Sequence, residues 1–270
     1  MRRILILGGT AEARALAAEL AADPGVRVVS SLAGRVTNPR LPVGEVREGG
    51  FGGPEGLAAW LVAEGVDAVV DATHPFAARM TASAAVASAS TGVPLLVLRR
   101  PGWQEEPGDA WQRVDSLEAA AALLTESVAR PTGLPSAGTP PTTGSSATGA
   151  LTGSVRVFLT TGRRSLPVFS GLAGVWLLAR SVDPPEPPVP ANVHVLLDRG
   201  PYTVEGELAL IREHRLDVLV TKDSGGQLTT AKLTAARRLG LPVIMVNRPP
   251  LPEGVRLVDT VAAAVEWVHG

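Results

Sequence analysis

A pattern from the first half of this chain returns in the second. Gly65-Val66-Asp67-Ala68-Val69-Val70-Asp71-Ala72-Thr73 is matched by Arg215-Leu216-Asp217-Val218-Leu219-Val220-Thr221-Lys222-Asp223. Further on, Gly92-Val93-Pro94-Leu95-Leu96-Val97-Leu98-Arg99-Arg100-Pro101 is matched by Gly240-Leu241-Pro242-Val243-Ile244-Met245-Val246-Asn247-Arg248-Pro249. Asp67 to Pro94 spans 27 positions and Asp217 to Pro242 spans 25, so the spacing is kept. Each copy reads as a buried strand, a helix and a second buried strand. A repeat of this length predicts two similar lobes rather than one continuous sheet.

The flanking pattern agrees. In the first half, strands are expected at Ile4–Leu7, Val26–Ser30, Asp67–Val70 and Leu95–Leu98. Helices are expected at Ala11–Ala22, Leu57–Glu64 and Arg79–Ser90. The second half predicts strands at Val155–Thr160, Val175–Leu178, Val193–Leu196, Asp217–Val220 and Leu241–Val246. Its helices are Val204–Glu213, Lys232–Leu239 and Val261–Val268. Strands alternating with helices require right-handed crossovers and parallel pairing. The expected fold is α/β, with two Rossmann-like lobes, each a mainly parallel sheet flanked by helices. The boundary is placed after Pro101, giving lobes 1–101 and 102–270, with helix Ser116–Val128 entering the second. Arg130–Ser154 is rich in Pro, Thr, Gly, Ser and Ala and has almost no large apolar residue. It reads as a low-complexity insertion unable to support a core.

Composition narrows the function classes. At 270 residues and 45% hydrophobic, the chain can bury a core in each lobe. A net charge of −1 gives nucleic-acid binding no electrostatic support. The absence of cysteine excludes disulfides, thiolate catalysis, iron–sulfur clusters and Cys-based zinc sites. His74, His194, His214 and His269 show no metal-ligand spacing, so no metal is expected. The apolar run Ile4–Leu7 is too short for a signal-peptide core or a membrane span, and a cytoplasmic location is expected.

Candidate chemistry gathers at expected strand ends. Gly8-Gly9-Thr10 follows a strand and opens a helix, where backbone amides face anions and glycine admits a pyrophosphate. It is not a full G-x-G-x-x-G fingerprint, and a plain strand-to-helix turn reads the same way. The second strand ends at Ser30-Ser31, with Arg35 close behind and no acid. That composition suits the 2′-phosphate of NADP better than the free hydroxyl of NAD. Asp71-Ala72-Thr73-His74-Pro75-Phe76-Ala77 lies where open α/β sheets bind ligands, although Asp71 would equally cap the next helix. In the second half, Thr160-Thr161-Gly162-Arg163-Arg164 is the counterpart of the first turn. Asp198-Arg199-Gly200-Pro201-Tyr202 holds the only tyrosine, placed to stack on a flat ring or fill a core gap. Thr221-Lys222-Asp223-Ser224-Gly225-Gly226 forms a further anion-friendly nest, with Lys232 behind it.

Gly8-Gly9-Thr10, the Asp71–Ala77 stretch, Gly200-Pro201-Tyr202 and Lys222-Asp223-Ser224-Gly225-Gly226, in that order, resemble the precorrin-6A reductase family of cobalamin biosynthesis. The resemblance spans the chain apart from Arg130–Ser154. It implies an oxidoreductase acting on a CH–CH group, with NADPH reducing one carbon–carbon double bond of precorrin-6A to give precorrin-6B. It also implies cofactor and tetrapyrrole in a cleft between the lobes, and handover to neighbouring pathway enzymes. On this reading Gly8, Gly9, Thr10, Ser30, Arg35, Asp71 and Thr73 bind the cofactor. Arg79, Arg163, Arg164, Asp223, Ser224, Gly225 and Arg248 hold a carboxylate-rich substrate on which Tyr202 stacks. Lys222, His74, Tyr202 or water donates the proton. A cobalt-containing substrate and a non-catalytic NADP-sensing module are the alternatives. A short-chain dehydrogenase is disfavoured because Gly206, not lysine, follows Tyr202 by four positions.

Overall fold

A computed structural model describes residues 1–34, 40–129 and 154–270. Arg35 and nearly all of the 130–154 insertion lie outside the described residues. The chain divides into two units, Met1–Pro101 with Pro249–Gly270, and Gly102–Arg248.

The first unit contains β1 (Arg2–Leu7), α1 (Ala11–Ala21), β2 (Val26–Leu32), β3 (Glu45–Glu48), α2 (Pro54–Ala63), β4 (Ala68–Asp71), α3 (Ala78–Thr91) and β5 (Leu95–Leu98). The second contains β6 (Trp111–Val114), α4 (Leu117–Ala129), β7 (Val155–Leu159), α5 (Leu166–Phe169), β8 (Val175–Ser181), β9 (Val193–Leu197), α6 (Val204–Glu213), β10 (Val218–Lys222), α7 (Ala231–Leu239) and β11 (Val243–Val246). Two last elements, β12 (Arg256–Val258) and α8 (Val261–His269), return to the first unit.

Both sheets have six strands, in the orders β12-β5-β4-β1-β2-β3 and β6-β11-β10-β7-β8-β9. Every pairing is parallel. The two orders are equivalent strand for strand, so the duplication seen in the sequence is a duplication of topology. The central strands read as unbroken apolar runs because both of their faces are covered. Alternation along β1 sends Ile4 and Ile6 towards Leu16 and Leu20 of α1 and Val268 of α8. Leu5 and Leu7 face Leu57 and Leu61 of α2 and Ala87 of α3. In the second unit Phe158, Leu178, Leu219 and Met245 pack against Leu233 and Ala236 of α7.

The boundary differs from the sequence expectation in one respect. One outer strand of each sheet comes from the segment that follows β5 or β11 of the other unit. After β5 the chain enters the second unit and supplies β6 beside β11; after β11 it re-enters the first and supplies β12 beside β5. Residues 249–270 therefore belong with the first unit. The two crossing segments are themselves copies: Val114-Asp115-Ser116-Leu117 matches Val258-Asp259-Thr260-Val261. Ser116 and Thr260 each cap a helix start, accepting from the amides of Ala119 and Ala263 at 3.0 and 3.2 Å.

Candidate functional site

In each sheet the strand order reverses at the same equivalent place, between β1 and β4 and between β7 and β10. Ligands of open α/β sheets bind at the carboxyl ends of strands flanking such a point.

At the first of these points Thr10 fixes the turn. Its hydroxyl accepts from Ala13 N at 3.1 Å, capping α1, and donates to Ala72 O at 2.7 Å. Gly9 has a φ of +115°, a conformation that favours glycine, and a β-carbon there would meet nothing within 4 Å. The turn therefore leaves room for a ligand at Gly9, just before the start of α1. Gly8, Gly9, Arg14, Ser30 and Arg40 line a shallow depression beside them. The Ser30 hydroxyl is buried there and has no hydrogen-bond partner among the described residues. Four of the residues expected to bind cofactor, Gly8, Gly9, Thr10 and Ser30, are therefore brought together. Ser31 points to the opposite face of β2, where its Oγ accepts from Arg47 Nη1 at 2.9 Å.

Asp71 and Thr73 meet in a different way. Asp71 is 1% exposed, and its Oδ1 accepts from the Thr73 amide and hydroxyl at 3.0 and 2.7 Å. Its Oδ2 accepts from the Thr81 hydroxyl at 2.6 Å. The carboxylate ties the end of β4 to the start of α3 and so shapes the turn carrying His74 and Pro75. Asp71, Thr73, His74, Pro75 and Arg99 line a second depression. The exposed His74 accepts from Phe76 N through Nδ1 at 3.2 Å, which places the neutral ring's proton on Nε2. Arg79 is exposed in the first turn of α3.

In the second unit, Lys222 at the end of β10 donates to Thr161 O at the end of β7 at 2.9 Å, a bond spanning the reversal point. Burial lowers the Lys222 pKa. Arg163 reaches Pro184 O at 3.1 Å and Arg164 is exposed. Asp223 is buried and holds the chain entering this unit: its Oδ1 accepts from Trp103 N at 2.9 Å, and Arg113 lies 3.3 Å from Oδ2. Arg248 donates to Asp223 O at 2.8 Å. Gly225 and Gly226 have φ of +64° and +79°, and Gly226 O receives the Trp103 indole N–H at 3.0 Å. The nest at Lys222–Gly226 is thus tied into the unit by Trp103.

Tyr202 sits on a group of side chains that sequence reasoning did not connect. The Arg180 guanidinium lies 3.7 Å from its ring centroid and pairs with Glu207 at 2.7 Å. Arg180 and Glu207 are both buried, and Glu207 Oε2 has no hydrogen-bond partner among the described residues. Lys232, which the sequence leaves either behind the nest or solvated, is buried close to this pair. It donates to Thr229 O at 3.1 Å and stands over the Trp103 ring at 4.9 Å. Burial, followed by repulsion from Arg180, lowers its pKa to about 7. The signal missed was an acid in the first turn of α6, which on sequence reads as an ordinary dipole partner. Among the described residues, no group of three or more His, Asp and Glu is arranged to hold a metal, and no helix is long and apolar enough to cross a membrane.

Comparison with known proteins adds a second, independent line. The family model of the precorrin-6x reductases CbiJ/CobK matches residues 3–269. A curated precorrin-6A reductase from Rhodococcus erythropolis is 53% identical over 268 residues, covering 99% of this chain and 98% of that protein. A cobalt-precorrin-6A reductase from Priestia megaterium is 30% identical, covering 93% and 92%. A solved structure of CobK precorrin-6A reductase superposes with a TM-score of 0.82 at 41% identity, covering 100% of this chain and 96% of that one.

Proposed function

This chain belongs to the precorrin-6x reductase family CbiJ/CobK, and we propose that NADPH, bound at the start of α1, is its reductant. Its reaction is the reduction of precorrin-6A in cobalamin biosynthesis, an oxidoreduction at a CH–CH group. The metal-free substrate is favoured because the similarity to the relative named for precorrin-6A far exceeds that to the one named for cobalt-precorrin-6A.

The observation that carries the cofactor reading is the pairing of a turn open at Gly9, just before α1, with an unsatisfied buried hydroxyl, that of Ser30. Both ask for an acceptor-rich ligand, and a dinucleotide pyrophosphate is one. The amides of Gly9 and Thr10, at the entry to α1, would hold the pyrophosphate. Ser30, Ser31 and, outside the described residues, Arg35 would surround the adenosine ribose and its 2′-phosphate. When bound, the reduced nicotinamide supplies hydride to the macrocycle double bond.

The chain's own residues position and protonate. Asp71 and Thr73 hold the turn that presents His74. Arg79, Arg163, Arg164 and Arg248 supply cations for acetate and propionate side chains, and Asp223, Ser224 and Gly225 frame the nest at Lys222. Tyr202 offers a ring face, held from beneath by Arg180. Lys222 is the proton donor this reading favours, because burial makes its proton easier to release. His74 and Tyr202 are the other candidates.

Equilibrium titration tests the cofactor reading. NADPH should bind at least about tenfold more tightly than NADH. Gly9→Ala should weaken NADPH binding by about tenfold, since it adds strain of about 1 kcal/mol and a methyl beside the phosphates. Absence of NADPH binding to the wild-type protein would remove this reading.

A further inference from the structure

At the carboxyl end of β2, Ser31 pairs with Arg47 of the edge strand β3. Arg47 Nη1 donates to Ser31 Oγ at 2.9 Å and Gly49 O at 3.1 Å, and Nη2 donates to Gly50 O at 3.2 Å. Its guanidinium carbon lies 3.8 Å from the Phe51 ring centroid, and Phe51 packs edge-on against Trp60 at 5.5 Å. The side chain is therefore clamped in one orientation before any ligand arrives. These are neutral partners: two backbone carbonyls, one hydroxyl and an aromatic face. Among the described residues no carboxylate pairs with Arg47, and burial lowers its pKa, as expected of a cation without a counter-charge. A guanidinium has five N–H donors, and three are used here. Ser31 is 7% exposed; its oxygen accepts from Arg47, which leaves its own proton to donate.

Donors held in place, a positive charge without a carboxylate, and the end of the second strand of a dinucleotide-type sheet all point to the same ligand group. We propose that Arg47, together with the Ser31 hydroxyl, reads the 2′-phosphate that distinguishes NADPH from NADH. Planar guanidinium geometry suits a phosphate, and the position is where the adenosine ribose lies in this sheet topology. The inference rests on the NADPH reading given above and makes it specific to two residues.

Calorimetric titration with adenosine 2′,5′-bisphosphate and with 5′-AMP tests it without turnover. The wild-type protein should prefer the 2′-phosphorylated ligand by tenfold or more. Arg47→Met should abolish that preference while leaving 5′-AMP affinity within twofold, and Arg47→Lys should keep part of it. Ser31→Ala should reduce it by a smaller factor. If Arg47→Met keeps the preference, or weakens both ligands equally, Arg47 does not read the phosphate, although the NADPH reading stands. If the wild-type protein binds both ligands without preference, the NADPH reading itself fails and takes this one with it.

Discussion

Glu207→Ala should destabilise the protein by about 3–5 kcal/mol, because it leaves a buried arginine without its counter-ion. Arg180 is 8% exposed and Glu207 2%, so water cannot replace the lost carboxylate. Lys232, 5% exposed, stands beside Arg180, and with the Glu207 charge that now raises its pKa gone, its pKa should fall further. Lys232→Met should act in the opposite sense. The folded-state pKa of Lys232, about 7, lies below the ordinary lysine value of 10.5, so the folded state resists its proton. The unfolded chain binds more protons across that interval, and stability from this group rises with pH between about 7 and about 10.5. The cost of keeping it charged is full below pH 7 and fades towards the upper limit. Lys232→Met should therefore stabilise the protein by roughly 2–4 kcal/mol at pH 6 and by little at pH 10. Urea unfolding at the two pH values checks both substitutions. A Lys232→Met gain independent of pH would show that packing, not charge, is responsible.

Asp71→Ala should cost about 2–4 kcal/mol, since it strands the Thr73 amide and the Thr73 and Thr81 hydroxyls that the carboxylate now accepts. Asp71→Asn should recover only part of this, because the amide nitrogen cannot accept from a hydroxyl. The damage should centre on the turn at 72–77, so hydrogen exchange should speed up there before the rest of the first sheet. Reductase turnover should fall at least tenfold in either variant, through misplacement of the turn rather than loss of a reacting group. A variant with normal stability and lost turnover would instead assign Asp71 a direct part in the chemistry.

The central strands and the duplication were legible because they are long apolar runs at a repeated spacing. The edge strands β3, β6 and β12 were not. They carry Glu45-Val46-Arg47-Glu48, Trp111-Gln112-Arg113-Val114 and Arg256-Leu257-Val258, each short and with at least one charged residue breaking the apolar run, because each has an open side. Residues 249–270 join the first unit through β12, whose three residues pair with β5. The turn at Gly8-Gly9-Thr10 was readable from local chemistry. The contact of Asp71 with Thr73 follows the Asp-x-Thr spacing, but that with Thr81 needed the fold. Arg180, Glu207 and Lys232 come from β8, α6 and α7, and nothing in the sequence near any one of them announces the other two. Arg47 escaped notice because its strand did.

The central claim is that this chain moves hydride from NADPH to precorrin-6A. Mixing purified protein with one equivalent of each and following both spectra tests it directly. The account predicts loss of NADPH absorbance in step, one for one, with the spectral shift of the macrocycle, and no such loss without the tetrapyrrole. Tight NADPH binding with an unchanged precorrin-6A spectrum would contradict it and point to a sensing module.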